Sequence, residues 1–187
     1  MVVLHSQDSN GLGQFEAFWR SIADSEQLVV VIPKGTRDAT NPSTYPDGAN
    51  WRQIDMPQVQ ELTQEIDDCY NVDTKRHILW GFSAGCQYGY LLGVGAAANY
   101  SGLAMGGCDN GFASSVGYPA SEAAWAIPVS HVHGQTDFNP ISRAYVTKSE
   151  FETRGSVFTL YEHPGGHTIS AEQVRQQYDD LKNSQSP

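Results

Sequence analysis

The chain has 187 residues, of which 40% are hydrophobic and 17% charged, and its formal net charge is −10. This length is typical of one domain with a substantial core, so we expect a single domain over residues 1–187. The acidic excess argues against a nucleic-acid or anionic-membrane partner, because either would require a basic surface. No apolar run approaches the roughly 20 residues that cross a bilayer, which also argues against a membrane partner.

The N-terminus and the cysteines bear on the compartment. The first six residues lack the basic and apolar regions of a signal peptide, so we expect a cytoplasmic protein or a secreted one without its leader. Cys69, Cys86 and Cys108 form no C-x-x-C pair and are too few for a disulfide framework. A Cys86–Cys108 bridge is possible in a secreted chain, but the pattern favours buried free thiols. Compartment and oligomeric state stay open.

The first part of the chain alternates strand-like and helical patterns. Apolar runs predict strands over residues 2–5 and 28–32, and helical spacing predicts a helix over 15–26 between them. A unit of this size implies parallel strands joined by a right-handed crossover. A long irregular connection follows over residues 34–53, and a second helix is predicted over 55–69.

The remaining segments continue the alternation. A third strand runs up to Gly81, and further strands are predicted over 101–105, 127–132 and 157–161. Helical segments are predicted over 88–98, 141–153 and 170–183. Six parallel strands with helices between them form an α/β protein with a minimal doubly wound sheet.

The third strand ends in Gly81-Phe-Ser83-Ala-Gly85, a G-x-S-x-G sequence between a strand and a segment of small residues. A serine on such a tight turn has a strained backbone, and the glycines leave room for the turn. The hydroxyl of Ser83 would then stand above the end of the sheet. The N–H of Ala84 would lie at a helix start, where unpaired donors favour an oxyanion.

Functional groups of a parallel sheet collect at the carboxyl ends of its strands. Asp137 follows the predicted strand 127–132, and His167 follows the strand 157–161. The chain order Ser83, Asp137, His167 is the one associated with a strand-turn-helix serine in an α/β-hydrolase. We therefore predict Ser83 as nucleophile, His167 as general base and Asp137 as the acid that orients the base.

Other residues compete for these roles. His163 is an alternative base, but the glycines before His167 favour the latter. Asp109 is an alternative acid, although it could simply cap a turn. Three more histidines lie at predicted strand ends and are interpreted as structural hydrogen-bonding groups: His5, His131 and His133. A metal site is disfavoured because the sequence has no H-E-x-x-H or comparable spacing.

Four segments together resemble the polyhydroxybutyrate depolymerase and feruloyl or acetylxylan esterase branch of the α/β-hydrolases, a group like carbohydrate esterase family 1. These are Val-Val-Leu-His (2–5), Tyr-Asn-Val-Asp before the G-x-S-x-G sequence, His-Gly-Gln-Thr-Asp (133–137) and Gly-Gly-His-Thr (165–168). The resemblance implies carboxylester hydrolysis through an acyl-enzyme, without a cofactor. It also implies that Ala84 and Gln7 stand at the oxyanion-hole positions.

Two departures from this family matter. The family usually has His-Gly after its first core strand, whereas this chain has His5-Ser6, so the second oxyanion donor is the weakest element of the predicted site. The usual N-terminal hairpin is also expected to be absent. The short, glycine-rich connection 107–126 leaves no room for a helical lid or cap domain, so we expect an open site suited to bulky or polymer-attached esters.

Aromatic residues on the predicted loops could contact the substrate. Trp51, Tyr45 and Phe138 are candidates, although such side chains can equally fill the core. The same apparatus could serve a thioesterase or a peptidase, because one fold supports several chemistries. A non-catalytic, hydrolase-like binding module is the alternative from another class, and the ordered Ser83, Asp137 and His167 argue against it.

Overall fold

One parallel sheet organises residues 1–7, 11–35 and 51–187, the residues described in a computed structural model. Its strands are β1 (Val2–Leu4), β2 (Ile78–Phe82), β3 (Gly102–Gly106), β4 (Val129–Gly134) and β5 (Phe158–His163). They lie side by side in chain order, and each neighbouring pair is parallel. Parallel neighbours require crossover connections, which explains the helices between the strands.

The helices match the predicted segments within a few residues at each end. They are α1 (Gly11–Glu26), α2 (Met56–Cys69), α3 (Ala84–Gly95), α4 (Gly111–Ser115), α5 (Ile141–Thr153) and α6 (Ala171–Leu181). The short α4 was not expected, and it lies in the connection 107–126 that was predicted to lack a lid. Its Ala113 is buried in the core. None of the helices in the described residues combines the length and apolarity that a membrane crossing requires.

The predicted sixth strand, residues 28–32, is reduced to a single parallel bridge between Val31 and Val2. The N–H of Val3 donates to the carbonyl oxygen of Val31 at 2.8 Å, and the N–H of Val31 donates to that of Met1 at 2.9 Å. The ladder ends there because β1 spans three residues and Pro33 has no N–H to donate. The prediction of six strands is therefore corrected to five strands with one bridged edge segment.

The two faces of the sheet carry separate apolar clusters. One face packs against α3 and α5, whose buried side chains include Tyr90 and Phe151. The opposite face packs against α1 and α6, through residues such as Trp19 and Val174. Successive side chains of a strand point to opposite faces, so β2 contributes Leu79 to the first cluster and its two neighbours to the second.

Helix α3 lies unusually close to the sheet because glycines recur at every fourth residue along it. A Cβ atom on Gly85 would lie 2.2 Å from the carbonyl oxygen of Leu4. One on Gly89 or Gly93 would lie 2.5 Å from the side chain of Met105 or Leu103 respectively. The glycines of this helix therefore allow its close packing, and they fix the position of its first turn.

The strands end at a common edge of the sheet. Phe82 pairs with Gly106, and Gly106 pairs with Val132. Further along, Gly134 pairs with His163. The loops that follow β2, β3, β4 and β5 consequently begin near one another. This edge brings the predicted site residues together.

Candidate active site

Ser83 lies between the end of β2 and the start of α3, as the G-x-S-x-G spacing predicts. Its backbone has φ 58° and ψ −120°, a left-handed conformation that non-glycine residues rarely adopt. Its N–H donates to the carbonyl oxygen of Gly106 at 2.9 Å, and its own carbonyl oxygen accepts from the N–H of Cys86 and of Gln87 at 3.0 Å each. These bonds hold the strained turn in place.

The flanking glycines give the turn its shape. A Cβ atom on Gly81 would lie 2.2 Å from the carbonyl oxygen of Gly85, which is backbone and cannot move aside. Gly85 in turn contacts the backbone of β1, as described above. Any larger residue at either position would therefore push the start of α3 away from the strand end. Ser83 is thus held mainly by backbone contacts within residues 81–87, with further contacts to Leu4 and Gly106.

His167 connects Ser83 to Asp137. Its Nε2 lies 2.8 Å from the Oγ of Ser83, and its Nδ1 lies 2.8 Å and 3.0 Å from the two carboxylate oxygens of Asp137. The Asp137 side chain is only 1% exposed, whereas that of His167 is 20% exposed. A carboxylate can only accept, so the Nδ1–H of His167 donates to Asp137 and Nε2 is left to accept from the Ser83 hydroxyl.

Two loops bring the acid and the histidine together. The N–H of Gln135 donates to the carbonyl oxygen of His163 at 2.8 Å, and that of Thr136 donates to Gly165 at 3.1 Å. A Cβ atom on Gly134 would lie 2.1 Å from the carbonyl oxygen of Gly166, so the two backbones touch. The loop after β4 and the loop after β5 thus form one unit.

The ring of His167 lies between two aromatic side chains. Its centroid is 4.8 Å from that of Phe82 and 4.3 Å from that of Phe138. Phe82 is buried, but Phe138 is 74% exposed. An exposed phenyl ring beside the histidine stands where it could contact a bound molecule.

The competing residues have structural partners of their own. Asp109 accepts from the N–H of Gly111 at 2.7 Å and lies 3.5 Å from Arg143, so it closes the turn before α4. His163 ends β5, and its Nδ1 accepts from the N–H of Gly165 at 3.2 Å. Among these histidines and aspartates, the ones that share hydrogen bonds with Ser83 are His167 directly and Asp137 through it.

The two predicted oxyanion donors lie on different segments. Ala84 is the first residue of α3, where N–H groups have no partner within the helix. Gln7 is exposed and follows β1 at a bend.

The residue that follows β1, His5, is firmly held. The Nδ1–H of His5 donates to the carbonyl oxygen of Ser6 at 2.8 Å, and its Nε2 accepts from the N–H of Gly35 at 3.1 Å. Burial lowers the pKa of His5, which keeps the ring neutral as these two bonds require. His5 thus has the structural role expected of it.

Trp51 lies in the core and not on a loop surface. Its ring stacks on that of Tyr88 with centroids 4.9 Å apart, and its Nε1–H donates to the carbonyl oxygen of His5 at 2.7 Å. Only 6% of the Trp51 surface is exposed, so Trp51 fills the core, which was the alternative to contacting the substrate. The third aromatic candidate, Tyr45, lies outside the described residues.

Cys86 and Cys108 form a disulfide bond, whereas Cys69 is free and exposed. The preference for buried free thiols at the first two positions was therefore wrong. The pairing of β2 with β3 places the start of α3 beside the end of β3. The two Cα atoms are then 5.9 Å apart, within the usual disulfide range. The bridge ties the Ser83 turn to the segment after β3.

Known proteins resemble the chain in sequence and in structure. A bifunctional acetylxylan esterase/xylanase of Neocallimastix patriciarum is 32% identical over 139 residues, which is 73% of this chain and 19% of that protein. Esterase PE8 superposes with a TM-score of 0.70 at 20% identity, covering 98% of this chain and 91% of its own. SOBER1 of Arabidopsis thaliana superposes with a TM-score of 0.66 at 18% identity, covering 97% and 96%. No protein-family model matches.

The chain has the α/β-hydrolase fold. The structural likenesses support this fold, and together with the sequence relative they support an esterase-type hydrolase. The chain spans about a fifth of the length of the curated relative that it matches. Within the described residues of this hydrolase fold, no group of three or more His, Cys, Asp or Glu side chains could hold a metal ion.

Sequence analysis missed two residues that support the site. Asn139 donates its backbone N–H to Asp137 at 2.8 Å and its side-chain Nδ2–H to the carbonyl oxygen of Gly107 at 2.9 Å. Gly107 has φ +65°, and a Cβ atom there would lie 3.0 Å from Cε1 of His167. The signal for Asn139 was its place two residues after the acid, where a backbone N–H commonly closes a turn on a carboxylate. Gly107 carried no signal beyond being a glycine.

Proposed function

We propose that the chain is a serine carboxylester hydrolase that acts through an acyl-enzyme. Ser83 would be the nucleophile, His167 the general base and Asp137 the acid that orients the base. The observation that carries the proposal is the hydrogen-bonded series from Asp137 through His167 to Ser83, in which both linking distances are 2.8 Å. This is the arrangement that nucleophilic catalysis by serine requires.

In the first half of the reaction, the Oγ of Ser83 attacks the carbonyl carbon of the ester. The hydroxyl proton passes to Nε2 of His167, and the carbonyl oxygen becomes an oxyanion. Asp137 stabilises the imidazolium formed in this step. The tetrahedral intermediate then collapses, the bond to the leaving oxygen breaks, and His167 returns its proton to the departing alcohol.

The oxyanion would be bound by the backbone N–H groups of Ala84 and Gln7. The strained backbone of Ser83 supports the first assignment, because it directs the chain straight from the nucleophile into the first turn of α3. Each such donor contributes on the order of 3 kcal/mol of transition-state stabilisation.

In the second half, water replaces the alcohol. His167 removes a proton from the water as the water oxygen attacks the acyl carbon, giving a second tetrahedral intermediate. The bond between the acyl carbon and the Oγ of Ser83 then breaks, and His167 returns the proton to Oγ, which releases the carboxylic acid and free Ser83. Every proton transfer is made by His167, so we propose that the reaction needs no metal and no cofactor.

We propose acetylated xylan as the leading substrate class, with feruloyl and polyester-type esters as the other members of the expected range. The sequence relative whose name includes acetylxylan esterase supports the acetyl group. The exposure of Phe138 beside His167 supports an open site that a polymer can approach. We propose that Phe138 contacts the bound ester, and Tyr45 stays a predicted substrate contact.

Hydrolysis of p-nitrophenyl acetate by the wild type and by Ser83→Ala tests the proposal. We expect Ser83→Ala to lower kcat by about 10⁴-fold or more, because the remaining groups cannot form an acyl-enzyme. Ser149→Ala, which removes an exposed hydroxyl on α5, is the matched control and should retain full activity. Equal activity of the wild type and Ser83→Ala over a series of acyl lengths would contradict the proposal.

A substrate panel then separates the ester classes. Acetylated xylan, methyl ferulate and short polyester oligomers should be compared by kcat/KM, with Phe138→Ala as the binding variant. Loss of the exposed ring should raise KM more than it lowers kcat, because it removes contact area for the substrate while the hydrogen bonds of His167 to Ser83 and Asp137 remain. A preference for thioesters or peptides over all three ester classes would favour the alternative chemistries of this fold.

A further inference from the structure

A row of buried polar side chains runs beneath the loop that carries Asp137. The hydroxyl oxygen of Tyr90 lies 2.7 Å from Nδ1 of His131, and Nε2 of His131 lies 3.3 Å from Nδ1 of His133. Nε2 of His133 lies 2.8 Å from the carbonyl oxygen of Asn139. The side chains of the row come from α3 and β4, and all three are fully buried. The catalytic steps proposed above use none of them.

The carbonyl oxygen at one end of the row determines which atom of each pair donates the hydrogen bond. The carbonyl oxygen of Asn139 can only accept, so Nε2–H of His133 donates to it. In neutral imidazoles, Nδ1 of His133 then accepts from Nε2–H of His131. Nδ1 of His131 in turn accepts from the hydroxyl of Tyr90. Burial, together with the neighbouring His133, lowers the pKa of His131 to about 3, so this ring is neutral at ordinary pH.

Asn139 connects the row to the reacting groups. Its carbonyl oxygen accepts from His133, while its N–H donates to Oδ1 of Asp137. Its side chain donates to the carbonyl oxygen of Gly107, which packs against the ring of His167. A displacement of Asn139 would therefore move the carboxylate and the support of the histidine together.

Apolar side chains would fill this space at lower cost. Burial removes a phenol and two imidazoles from water, and this costs free energy unless each of them is hydrogen-bonded in the protein. The rings of Phe151 and Phe158 pack against Tyr90 and His131 respectively, so apolar side chains also border the row. Filling the core therefore does not explain why these three side chains are polar.

We propose that Tyr90, His131 and His133 form a hydrogen-bonded relay that acts through Asn139 to position the carboxylate of Asp137 against His167. These are positioning residues, since none of them touches the reacting atoms. The inference rests on the proposed function, because a positioned carboxylate matters only if His167 is the base.

The test compares His133→Gln with His133→Met. The two replacement side chains have similar length, but glutamine retains an N–H that can reach the carbonyl oxygen of Asn139 and methionine does not. We expect His133→Met to lower kcat about 10- to 100-fold with little change in KM, the effect of a misplaced catalytic group. His133→Gln should stay within about threefold of wild type, since it can keep the bond.

The pH profile of kcat/KM separates positioning from general damage. A well-placed carboxylate favours the protonated form of its histidine, and its displacement should move the acid limb of the profile to lower pH by about half a unit to one unit. We expect this displacement in His133→Met and not in His133→Gln. Equal kcat and equal acid limbs for the two variants would overturn the proposal.

Tyr90→Phe provides a second route if both His133 variants unfold. This change keeps the phenyl ring in the core and removes the hydroxyl that donates to Nδ1 of His131, so the orientation of the row is no longer fixed. It should lower kcat and move the acid limb in the same direction as His133→Met. An unchanged profile in folded Tyr90→Phe would overturn the relay from Tyr90 to the site.

A measurement without substrate distinguishes this proposal from the proposed function. The proton that His167 shares with Asp137 should give a low-field ¹H NMR signal in protein with ¹⁵N-labelled histidine. We expect this signal to move in His133→Met and to stay in His133→Gln. If the signal moves in His133→Met and stays in His133→Gln but the wild type hydrolyses no ester, the proposed function fails while the positioning of Asp137 by the row stands. If the signal is the same in both variants of an active enzyme, the relay fails alone.

Discussion

The nucleophile and the acid–base pair are held in different ways. Ser83 is held by backbone contacts, most of them within residues 81–87: the close approach of Gly81 to Gly85 and the bonds from Cys86 and Gln87. Asp137 and His167 lie 30 residues apart and are held by contacts between two loops. One half of the site is therefore specified by local sequence, and the other half depends on how distant segments pack.

The largest effect is expected at the turn itself. In Gly81→Ala, the new Cβ atom would lie 2.2 Å from a backbone oxygen. Because backbone cannot rotate away, we expect the free energy of unfolding to fall by about 3 kcal/mol or more. Urea denaturation would measure it. Gly166→Ala is the control, since its Cβ atom would meet nothing closer than 3.6 Å. Equal stability of the two variants would show that the turn is not held by this contact.

The disulfide gives the next largest effect. It closes a sequence separation of 22 residues and joins the turn to the segment beside Gly107. Replacing both Cys86 and Cys108 by alanine should lower the free energy of unfolding by about 3 kcal/mol, as loss of a bridge of this loop length predicts. Cys69→Ala, at an exposed free thiol, should change nothing. Thermal unfolding would measure both variants, and kcat of the folded molecules should be unchanged. A double variant as stable as the wild type would contradict this prediction.

The bridge also bears on where the protein functions. Buried disulfides persist in oxidising environments and are rare in the cytosol. Of the two compartments compatible with the sequence, the bond favours a secreted protein. Expression in a reducing cytosol should consequently give less folded protein than export to an oxidising compartment. Equal yields in the two would argue against this assignment.

The contact between Gly134 and Gly166 offers a test of the two loops that carry Asp137 and His167. In Gly134→Ala, the Cβ atom would lie 2.1 Å from the carbonyl oxygen of Gly166 and would separate the acid loop from the histidine loop. We expect kcat to fall about 100-fold, since a displacement near 1 Å has that consequence. Stability should fall less than in Gly81→Ala, by about 1–3 kcal/mol, because loops can shift. A loss of stability as large as in Gly81→Ala, with kcat unchanged, would contradict the proposed difference between the Ser83 turn and the two loops that hold Asp137 and His167.

The same difference explains how much of the molecule was predictable. The G-x-S-x-G spacing sufficed for the turn because most of the backbone contacts that hold it lie within residues 81–87. Asp137 and His167 were predicted from their places after β4 and β5, since parallel strands end at one edge. The bond between them depends on contacts such as Thr136 to Gly165, which no local pattern encodes.

Several details could not be derived from the sequence for physical reasons. The disulfide depended on the distance between α3 and the end of β3, which follows from strand register. The edge segment 28–32 has the composition of a strand, but the shortness of its partner limits it to one bridge. Trp51 stands in a loop-like stretch, and only the tertiary structure shows that it stacks on Tyr88 in the core.

The last effect is a pH dependence that arises beneath the acid loop and is small for each unit of pH. The groups that face His131 are Tyr90 from α3, His133 from β4 and the ring of Phe158 from β5, so no carboxylate among them favours its charged form. Its pKa is about 3 in the folded chain, against an ordinary value of 6.5. The unfolded chain therefore binds a proton that the folded chain does not, and stability must fall as the pH drops from about 6.5 towards 3.

At most one proton is involved, so the contribution of His131 cannot exceed about 1.4 kcal/mol per pH unit. His131→Leu should remove it. The variant should be less stable than wild type at pH 7, where it has lost the hydrogen bonds of His131, and this deficit should shrink as the pH falls towards 4. Urea denaturation at a series of pH values would measure the difference, in which the carboxylates common to both proteins cancel. A deficit that stays constant or grows would mean that His131 takes up its proton in the folded state, and the acid loop would then rest on a charged ring.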